Sequence, residues 1–450
     1  MCENTGLHHC QTIAIYTLTS ELHDEQAVNV MTQDFLESIG IEYEFKGSNY
    51  ADYGSHALDL LYVRTGGTEG IFKRLLPNLM ATSSSPSGKA GKGTRPFYLL
   101  TSGKSNSLAA SMEILSYLRQ NGMKGEIIHG KPMYIAHRIA LLAKVGDAMR
   151  RMNGCRLGII GKPSDWLISS HADKDIVLEK LSVELIDIPM QELLDSIATT
   201  PMRQADESCS SETINKALPG ALQIYDALKT VIQRHRLQGF TLRCFDLLGT
   251  VHNTGCLALA KLNAEGIVAS CEGDVPAMLS MKIAQVLMGV SGFQANPANI
   301  NPETGEMLFA HCTIPFNLVE RYEFDTHFES GIGVGIRGYM KEGPVTIFKV
   351  SGNLSRCFIQ EGELVKNQAK PDLCRTQQII RLSDPTQTSY FLNAPIGNHH
   401  IILPGHHGEL LSCIAANLGM FSQRGAHHGS SNFSFWEGWE RKVPWNGGGV

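Results

Sequence analysis

The chain has 450 residues, of which 43% are hydrophobic and 18% are charged. This composition is ordinary for a globular protein and excludes disordered, coiled-coil and disulfide-knotted classes. The formal net charge of -5 provides neither the basic surface that binds nucleic-acid phosphates nor the polybasic segment that binds anionic lipid, so small-molecule partners are favoured. At about 150 residues per domain, the length predicts two or three domains.

The cysteines and the N-terminus predict a reduced, cytoplasmic protein. The eleven cysteines are odd in number and include no CxxC pair, so neither a disulfide framework nor a zinc ribbon is indicated. The opening segment, MCENTGLHHC, is polar, and no run reaches the roughly 18 apolar residues of a membrane span. We therefore expect neither secretion nor insertion into a membrane.

The N-terminal third alternates short apolar strands with amphipathic helices. TIAIYTL at 12–18 precedes a helical pattern and the strand IEYEF, and RPFYLL at 95–100 starts a second unit of the same kind. A polar segment at 83–94 separates them. Because strands that alternate with helices form parallel sheets, we predict an α/β, doubly wound (Rossmann-like) domain over residues 1–153.

A second alternation begins at Arg156 with the strand RLGII and the turn GKPSDW, and reaches the strand IVASC, the turn EGD and a long helical segment. It predicts a second doubly wound parallel-sheet domain over 154–308. From about Phe309 the segments are short, β-rich and separated by glycine or proline, which is typical of an antiparallel sheet or barrel. We predict a C-terminal β-rich, barrel-like domain over 309–450, with a tail from about residue 425.

Two carboxylates follow the strand IVASC where the next helix begins. Because ligands bind beyond the carboxyl ends of parallel strands, Glu272 and Asp274 are candidate catalytic residues. Asp274 has an ordinary alternative role as the N-cap of the helix, and Glu272 has one as a charge that favours the helix dipole. Glu272 is the better candidate ligand because the helix needs only one cap.

Histidines are concentrated at the ends of later strands. LFAH ends at His311, and GNHHIILPGHHGEL contains His399, His400, His406 and His407. Imidazole and carboxylate ligands together suit divalent transition metals such as Mn, Fe or Zn. A single histidine at a strand end is more often a packed or solvent-facing residue, and His406 or His407 is an alternative to His399 as a ligand.

The order of these motifs resembles that of the L-fucose/L-arabinose isomerase superfamily over about residues 60–420. The shared features are the EGD turn before a long helix, a second acidic site about one helix later, a strand-end histidine, and an HH pair beside a C-terminal strand. The resemblance implies that Glu272 ligates a metal and acts as acid/base, with His311 and His399 as further ligands. It also implies aldose–ketose isomerisation of a sugar, a divalent metal for which Mn²⁺ is expected, and a homo-oligomer, trimer or hexamer.

One position departs from the family pattern. The family's second carboxylate falls in GFQANPANINP, where the matching residue is Asn296, or Ala295 if the alignment shifts by one residue. A carboxamide can bind a metal or a substrate but takes up no proton near neutral pH. Either another acid, Asp246, Asp274 or Glu329, supplies the missing acid/base, or the chemistry differs.

The turn GKPSDW is a candidate substrate-binding segment through Ser164, Asp165 and Trp166. Two functions stay open on the sequence. The first is the metal-dependent sugar isomerase, and the second is a sugar-binding relative that keeps the fold without the proton transfer, which Asn296 supports. A periplasmic-type binding protein shares the α/β pattern but would be expected to carry a signal peptide.

Overall fold

The computed structural model describes residues 12–82, 95–205 and 209–423. The polar segment at 83–94 and the tail predicted from about residue 425 lie outside the described residues. Two compact units are formed by the described residues within Met1–Leu157, Lys174–Ile186 and Ile283–Gly289, and by those within Gly158–Asp173, Asp187–Lys282 and Val290–Val450. Each unit draws on separate parts of the sequence, and the domain bounds at 153/154 and 308/309 stay predictions.

The element bounds are as follows. The helices are α1 Glu25–Ile39, α2 Glu69–Thr82, α3 Ser107–Gln120, α4 Pro132–Met152, α5 Lys174–Leu181, α6 Met190–Thr199, α7 Glu212–His235, α8 Asp246–Thr250, α9 Cys256–Ala264, α10 Val275–Met288, α11 Thr388–Asn393 and α12 Gly408–Leu418. The strands are β1 Ile13–Leu18, β2 Glu44–Gly47, β3 Leu58–Val63, β4 Phe97–Leu100, β5 Gly125–Ile128, β6 Arg156–Ile160, β7 Glu184–Ile188, β8 Gly239–Leu242, β9 Val268–Cys271, β10 Phe293–Asn301, β11 Glu306–His311, β12 Arg321–Asp325, β13 Gly335–Tyr339, β14 Gly343–Val350, β15 Arg356–Gln368, β16 Thr376–Leu382, β17 His400–Pro404 and β18 Phe421–Gln423.

The first unit contains a parallel five-stranded sheet in the order β2-β1-β3-β4-β5. Alternate residues of β1 pack on opposite faces of this sheet, Ala14 and Tyr16 on one and Ile13 and Ile15 on the other, because successive side chains of a strand point in opposite directions. Both faces are buried, as a parallel sheet requires. The first doubly wound sheet predicted from the sequence is confirmed.

A second parallel sheet has the order β7-β6-β8-β9. Leu242 at the end of β8 is aligned with Cys271 at the end of β9, and α10 begins shortly after β9. Asp274 caps this helix, since its Oδ1 accepts a hydrogen bond from the Ala277 N–H at 2.7 Å. The strand, turn and helix predicted around Glu272 are therefore confirmed.

The second unit also contains a closed antiparallel barrel of six strands, in the order β14-β17-β10-β11-β16-β15, which the pairing of β14 with β15 completes. Closure leaves no unpaired edge in the barrel. Its apolar interior packs with residues of α7 and α9, and the shared core includes Leu218, Leu257, Phe293, Phe309 and Ile347. The predicted β-rich, barrel-like C-terminal region is confirmed. In the described part of the chain, no helix has the length and apolarity needed to cross a membrane.

Candidate metal centre

Glu272 lies in a tight turn between β9 and α10. Its backbone is left-handed, with a φ of 63°, and Gly273 follows with a φ of 73°. A Cβ on Gly273 would lie 2.6 Å from the carbonyl oxygen of Lys162, so only glycine fits without moving the neighbouring backbone. The Glu272 carbonyl accepts a hydrogen bond from the Ser164 N–H at 2.9 Å. The turn thus fixes the position of a carboxylate that is only 8% exposed.

Two barrel strands place the histidines. His311 is the last residue of β11, and His399 immediately precedes β17. Strand β10 lies between these two strands, and the residue before His311 pairs with Asn296 while the residue after His399 pairs with Ala295. The two strand ends therefore meet over the same point of β10. Both imidazoles are buried.

Glu272, His311 and His399 converge on one point. Glu272 Oε1 is 3.5 Å from His311 Nε2 and 3.4 Å from His399 Nε2, and the imidazole centroids are 5.2 Å apart. One ligand atom from each residue lies within 4.8 Å of the other two. Among the described residues, no other group of three or more His, Cys, Asp or Glu side chains has this geometry. Glu272, His311 and His399, three of the four metal-ligand candidates chosen from the sequence, are thus brought together.

The donor set of this cluster fits a divalent metal. His399 Nε2 is buried, and it has no hydrogen-bond partner within the described ranges, a condition that costs free energy unless something binds the atom. Two imidazoles and one carboxylate form the ligand set of open catalytic metal sites, in which further positions remain for water or substrate. A cation between Nε2 of both histidines and Glu272 would satisfy all three groups.

His399 is oriented by a buried ion pair. Its Nδ1 lies 2.9 Å from Asp274 Oδ2, which leaves Nε2 directed at Glu272. Lys349 is 0% exposed, and its Nζ is 3.4 Å from both oxygens of Asp274. A fully buried ammonium is tolerated only with such a partner. Asp274 therefore caps α10, orients His399 and compensates the charge of Lys349.

Burial and neighbouring charges set the protonation of the cluster. Burial raises the pKa of Glu272, but the charge of His399 and the close contacts with both imidazoles outweigh it and lower that pKa. Burial lowers the pKa of His311. Burial has the same effect on His399, but Glu272 and Asp274 outweigh it and raise its pKa to about 9. Without metal at neutral pH, Glu272 is thus a carboxylate, His311 is neutral and His399 is protonated.

The turn after β6 contacts the metal-ligand cluster through the indole of Trp166. Trp166 Nε1–H donates to Glu272 Oε2 at 2.7 Å, and the Trp166 ring packs edge-on against Phe245 with centroids 4.8 Å apart. Ser164 Oγ is buried and has no hydrogen-bond partner within the part of the chain described. Of the three substrate-binding candidates in this turn, Ser164 and Trp166 therefore contact Glu272 directly, Ser164 through its backbone N–H.

The remaining acidic candidates nearby are paired with an arginine. Arg243 Nη2 is 2.8 Å from Asp165 Oδ2, and Arg243 Nε is 2.9 Å from Asp246 Oδ1. Hydrogen bonds from Arg243 and Lys162 lower the pKa of Asp165 to about 2. Asp165 and Asp246 are thus placed in an ion-pair network at the start of α8.

Asn296 lies in β10, beside both histidine-bearing strands. Its Oδ1 accepts a hydrogen bond from Asn398 Nδ2 at 3.1 Å, and Asn398 is the residue before His399. An amide brings no negative charge and no titratable proton. Asn296 therefore adds a polar oxygen near the histidines but no second carboxylate.

Only one of the four clustered histidines reaches Glu272. His399 and His400 are consecutive and point to opposite sides of the chain, so His400 contacts the Tyr390 hydroxyl at 3.0 Å in the barrel interior. His406 and His407 contact backbone carbonyls instead. The alternation of a strand distinguishes these histidines, although it does not reveal from sequence which of the two faces the site.

The loop between β12 and β13 carries residues that sequence reasoning largely missed. His327 packs edge-on against Phe245, with centroids 5.4 Å apart, and Phe245 also contacts Trp166. Burial, assisted by the neighbouring His311 imidazole, lowers the pKa of His327 to about 4. Glu329 is an exposed residue, but partial desolvation of its carboxyl group and the charge of Glu272 raise its pKa. Of these residues, only Glu329 was singled out from the sequence.

Known proteins resemble the chain over part of its length. No protein-family model matches it. It is 24% identical over 266 residues to proteins named sulfoquinovose isomerase from Priestia aryabhattai and Priestia megaterium (strain ATCC 12872 / QMB1551), which covers 55% of this chain and 59% of each relative. A protein of the same name from Alkalicoccus urumqiensis is 23% identical over 265 residues, covering 54% of this chain and 59% of that relative.

The matches to these relatives are partial, and they concern one superfamily. The chain matches less than two thirds of the length of these curated relatives. Sulfoquinovose isomerase is a member of the L-fucose/L-arabinose isomerase superfamily, so the matches support the superfamily that the motifs around Glu272, His311 and His399 indicate.

Proposed function

We propose that the chain is a divalent-metal-dependent aldose–ketose isomerase of carbohydrate metabolism. The observation that carries this proposal is the convergence of Glu272, His311 and His399 in a chain that is similar to sulfoquinovose isomerases. The name of those relatives makes sulfoquinovose, a hexose with a sulfonate group, the first substrate to test. Mn²⁺ is the metal that we expect.

The reaction moves a proton between adjacent carbons of the sugar through an ene-diolate. A divalent metal held by Glu272, His311 and His399 would supply Lewis acidity at the sugar oxygens, where negative charge develops. Glu272 is ionised because its pKa is lowered, so it can accept the carbon-bound proton. The Trp166 N–H orients this carboxylate through Oε2. Proton transfer by a positioned side chain contributes roughly 10²–10⁴-fold to the rate.

A second group has to transfer the proton between the sugar oxygens, because the carboxamide of Asn296 takes up no proton near neutral pH. Glu329 is the better candidate, since partial desolvation and the charge of Glu272 raise its pKa and so favour its protonated form. Asp246 is held in an ion pair by Arg243. Asp274 is fully buried against Lys349, so in this proposal it positions His399. Asn296 would contribute its amide to the metal or to a sugar hydroxyl.

A sugar-binding protein without turnover is the second candidate, and Asn296 is the observation that favours it. An otherwise complete metal site with one carboxylate can bind a polyol through metal and hydrogen bonds without completing the proton transfer. This alternative predicts metal-dependent sugar binding and no interconversion of aldose and ketose.

We also expect a homo-oligomer, trimer or hexamer, in the cytoplasm. Trp166 and Ile168 are 52% and 83% exposed on the same turn, which is an apolar surface that a second copy could cover. The cysteines of the described residues are free, as a reducing compartment would leave them. Light scattering coupled to size-exclusion chromatography measures the oligomer, and a monomeric mass at micromolar concentration would contradict it.

The experiment that tests the function uses metal-stripped protein with and without added Mn²⁺. Sulfoquinovose and a panel of neutral aldoses are followed by NMR for the appearance of the ketose. We expect Mn²⁺-dependent interconversion that Glu272→Gln abolishes and Glu303→Gln, an exposed control, retains. Saturable sugar binding with no ketose in the wild type would favour the non-catalytic relative, and activity that survives in Glu272→Gln would overturn the assigned base.

A further inference from the structure

Five cysteines from separate parts of the sequence gather near the metal-ligand cluster. Cys244 Sγ lies 2.9 Å from Cys271 Sγ, and the thiol of Cys312 is hydrogen-bonded to Cys374. Burial raises the pKa of Cys256, and the neighbouring Cys312 and Cys244 raise it further. Cys271 directly precedes Glu272, and Cys312 directly follows His311. Thiols are therefore adjacent in the chain to two of the three candidate ligands.

The backbone brings the first pair of thiols together. Leu242, the last residue of β8, is aligned with Cys271, the last residue of β9. The chain turns sharply after β8, because the Cys244 N–H donates to the Leu242 carbonyl at 2.8 Å. This turn places Cys244 beside Cys271 at the end of β9. Both thiols are buried, at 7% and 3% exposure, but neither needs a long movement to meet the other.

Covalent closure of this pair requires little rearrangement. A sulfur–sulfur bond is about 2.05 Å long, so the two sulfurs have to approach by only about 0.9 Å from their separation of 2.9 Å. The backbone of Cys271 is held in place by Gln294, since its N–H donates to Gln294 Oε1 at 2.8 Å and its carbonyl accepts from Gln294 Nε2 at 3.3 Å. Rotation of the two side chains is therefore the main change needed.

We propose that Cys244 and Cys271 form a modification site, at which a peroxide converts the two thiols into a reversible disulfide. The peroxide oxidises one thiol, for which Cys244 is the more exposed, to a sulfenic acid and releases water. The Cys271 sulfur then displaces hydroxide from this sulfenic acid, which leaves as a second water, and the sulfur–sulfur bond forms. The two thiols lose two electrons and two protons in total, and the peroxide is reduced to two waters. A dithiol reductant reverses the reaction.

The disulfide would join two segments that carry residues of the candidate metal centre. Cys244 precedes Phe245, which packs on Trp166, and Cys271 precedes Glu272. A crosslink at this point ties the Cys271 side chain, next to the carboxylate, to the segment before Phe245, and Mn²⁺ affinity falls by at least about tenfold, as it does when the groups that orient metal ligands are disturbed. This effect on the metal rests on the proposed function, whereas formation of the disulfide does not.

The test uses the full-length reduced protein treated with hydrogen peroxide. Samples are denatured in N-ethylmaleimide, digested without reductant and analysed by mass spectrometry. We expect a peptide crosslinked through Cys244 and Cys271 to accumulate with loss of both alkylation products, and dithiothreitol to restore them. Full alkylation of both residues, their oxidation to sulfinic acid without a crosslink, or a crosslink only between Cys312 and Cys374 would overturn the proposal.

Matched variants separate this pair from other thiols. Cys244→Ser removes the crosslink and should make Mn²⁺ affinity, measured by calorimetry, insensitive to peroxide. Cys209→Ser, at a half-buried cysteine whose thiol donates to the Ser211 carbonyl, should retain both the crosslink and the loss of affinity. If reduced wild-type protein binds no Mn²⁺, the proposed function fails while the crosslink is still decided by mass spectrometry.

Discussion

Asp274 shows how one buried side chain can serve the helix and the metal site together. Its carboxylate accepts from the Ala277 N–H, contacts His399 Nδ1 and faces Lys349 Nζ. The contact with Nδ1 selects the imidazole form in which Nε2 is available to a metal. Asp274 contacts His399 Nδ1 and is not one of the three clustered residues, so we expect its influence on a bound metal to pass through His399.

Substitution Asp274→Asn should therefore lower Mn²⁺ affinity about 10–100-fold. The N-cap of α10 survives, because asparagine caps helices as well as aspartate does. The amide holds the imidazole of His399 less strongly, and it no longer compensates the buried charge of Lys349. Calorimetric titration of metal-stripped protein measures the change. Asp24→Asn, at the N-cap of α1, is the matched control and should leave the affinity unchanged. Wild-type affinity in Asp274→Asn would refute the positioning role.

Metal affinity should also depend on pH in a defined direction. The pKa of His399 is raised to about 9 because the charges of Glu272 and Asp274 outweigh burial. Metal binding then displaces a proton from His399 at any pH below about 9, so Mn²⁺ affinity rises about tenfold per pH unit from pH 7 towards 9. Calorimetry in buffers of different ionisation enthalpy counts the released protons, and release of none at pH 7.5 would contradict the assigned charge state.

The same shift has the opposite effect on the metal-free fold. A histidine whose pKa is raised on folding contributes stability that is fully present below its unfolded pKa, about 6.5, and is lost as pH rises through its folded pKa. For His399 that window runs from about 6.5 to about 9. Metal-free protein should therefore lose thermal stability over this range while the stabilisation by Mn²⁺ grows.

At the scale of elements, the turn between β9 and α10 determines where the carboxylate lies. Gly273 has a φ of 73°, and a Cβ there would meet Lys162 O at 2.6 Å and Pro163 Cα at 2.7 Å. Gly266 has a similar φ of 87° but an open surrounding, with nothing within 4 Å of a Cβ. The two glycines thus share the backbone conformation and differ in the steric contact.

Substitution Gly266→Ala should cost about 1 kcal/mol from left-handed strain alone, and Gly273→Ala should cost roughly 1–3 kcal/mol more from the forced movement of its neighbours. Gly273→Ala should in addition weaken Mn²⁺ binding, because Glu272 is the preceding residue. Chemical denaturation of the metal-free proteins gives the stability difference. Equal losses of stability in the two variants, with equal metal affinity, would show that the close contact does not fix the turn.

The elements around the site differ in how far the sequence could predict them. The apolar strand before Glu272, the acidic turn and the capped helix are all local patterns, and the structure contains each of them. Lys349 was not foreseen, since PVTIFKV is an ordinary β-strand pattern and the partner of its ammonium, Asp274, is 75 residues away. Similarly, nothing local shows that His399 faces Glu272 while His400 faces Tyr390.

At the scale of the whole molecule, long-range strand pairing brings the site together. Two parallel sheets and a barrel were predictable from alternating patterns, but the closing pair β14–β15 and the position of β10 between β11 and β17 arise only in the folded chain. That arrangement brings His311 and His399 to one point, and the alignment of β8 with β9 brings Cys244 to Cys271. The local sequence does not predict such long-range contacts, because the hydrophobic pattern of a strand does not specify which strands pair with it.

The location of all three candidate ligands in the second unit predicts where metal will stabilise the molecule. Binding to the folded form alone contributes about 2.7 kcal/mol at a metal concentration 100 times the Kd, so thermal unfolding should shift upward on adding Mn²⁺. Hydrogen exchange should slow in the turn at Glu272 and in β11 and β17, whereas the five-stranded sheet β1–β5 of the first unit should keep its metal-free rates. Glu272→Gln should show neither effect. Equal slowing in β1–β5 would mean that the two units respond to the metal as one cooperative body.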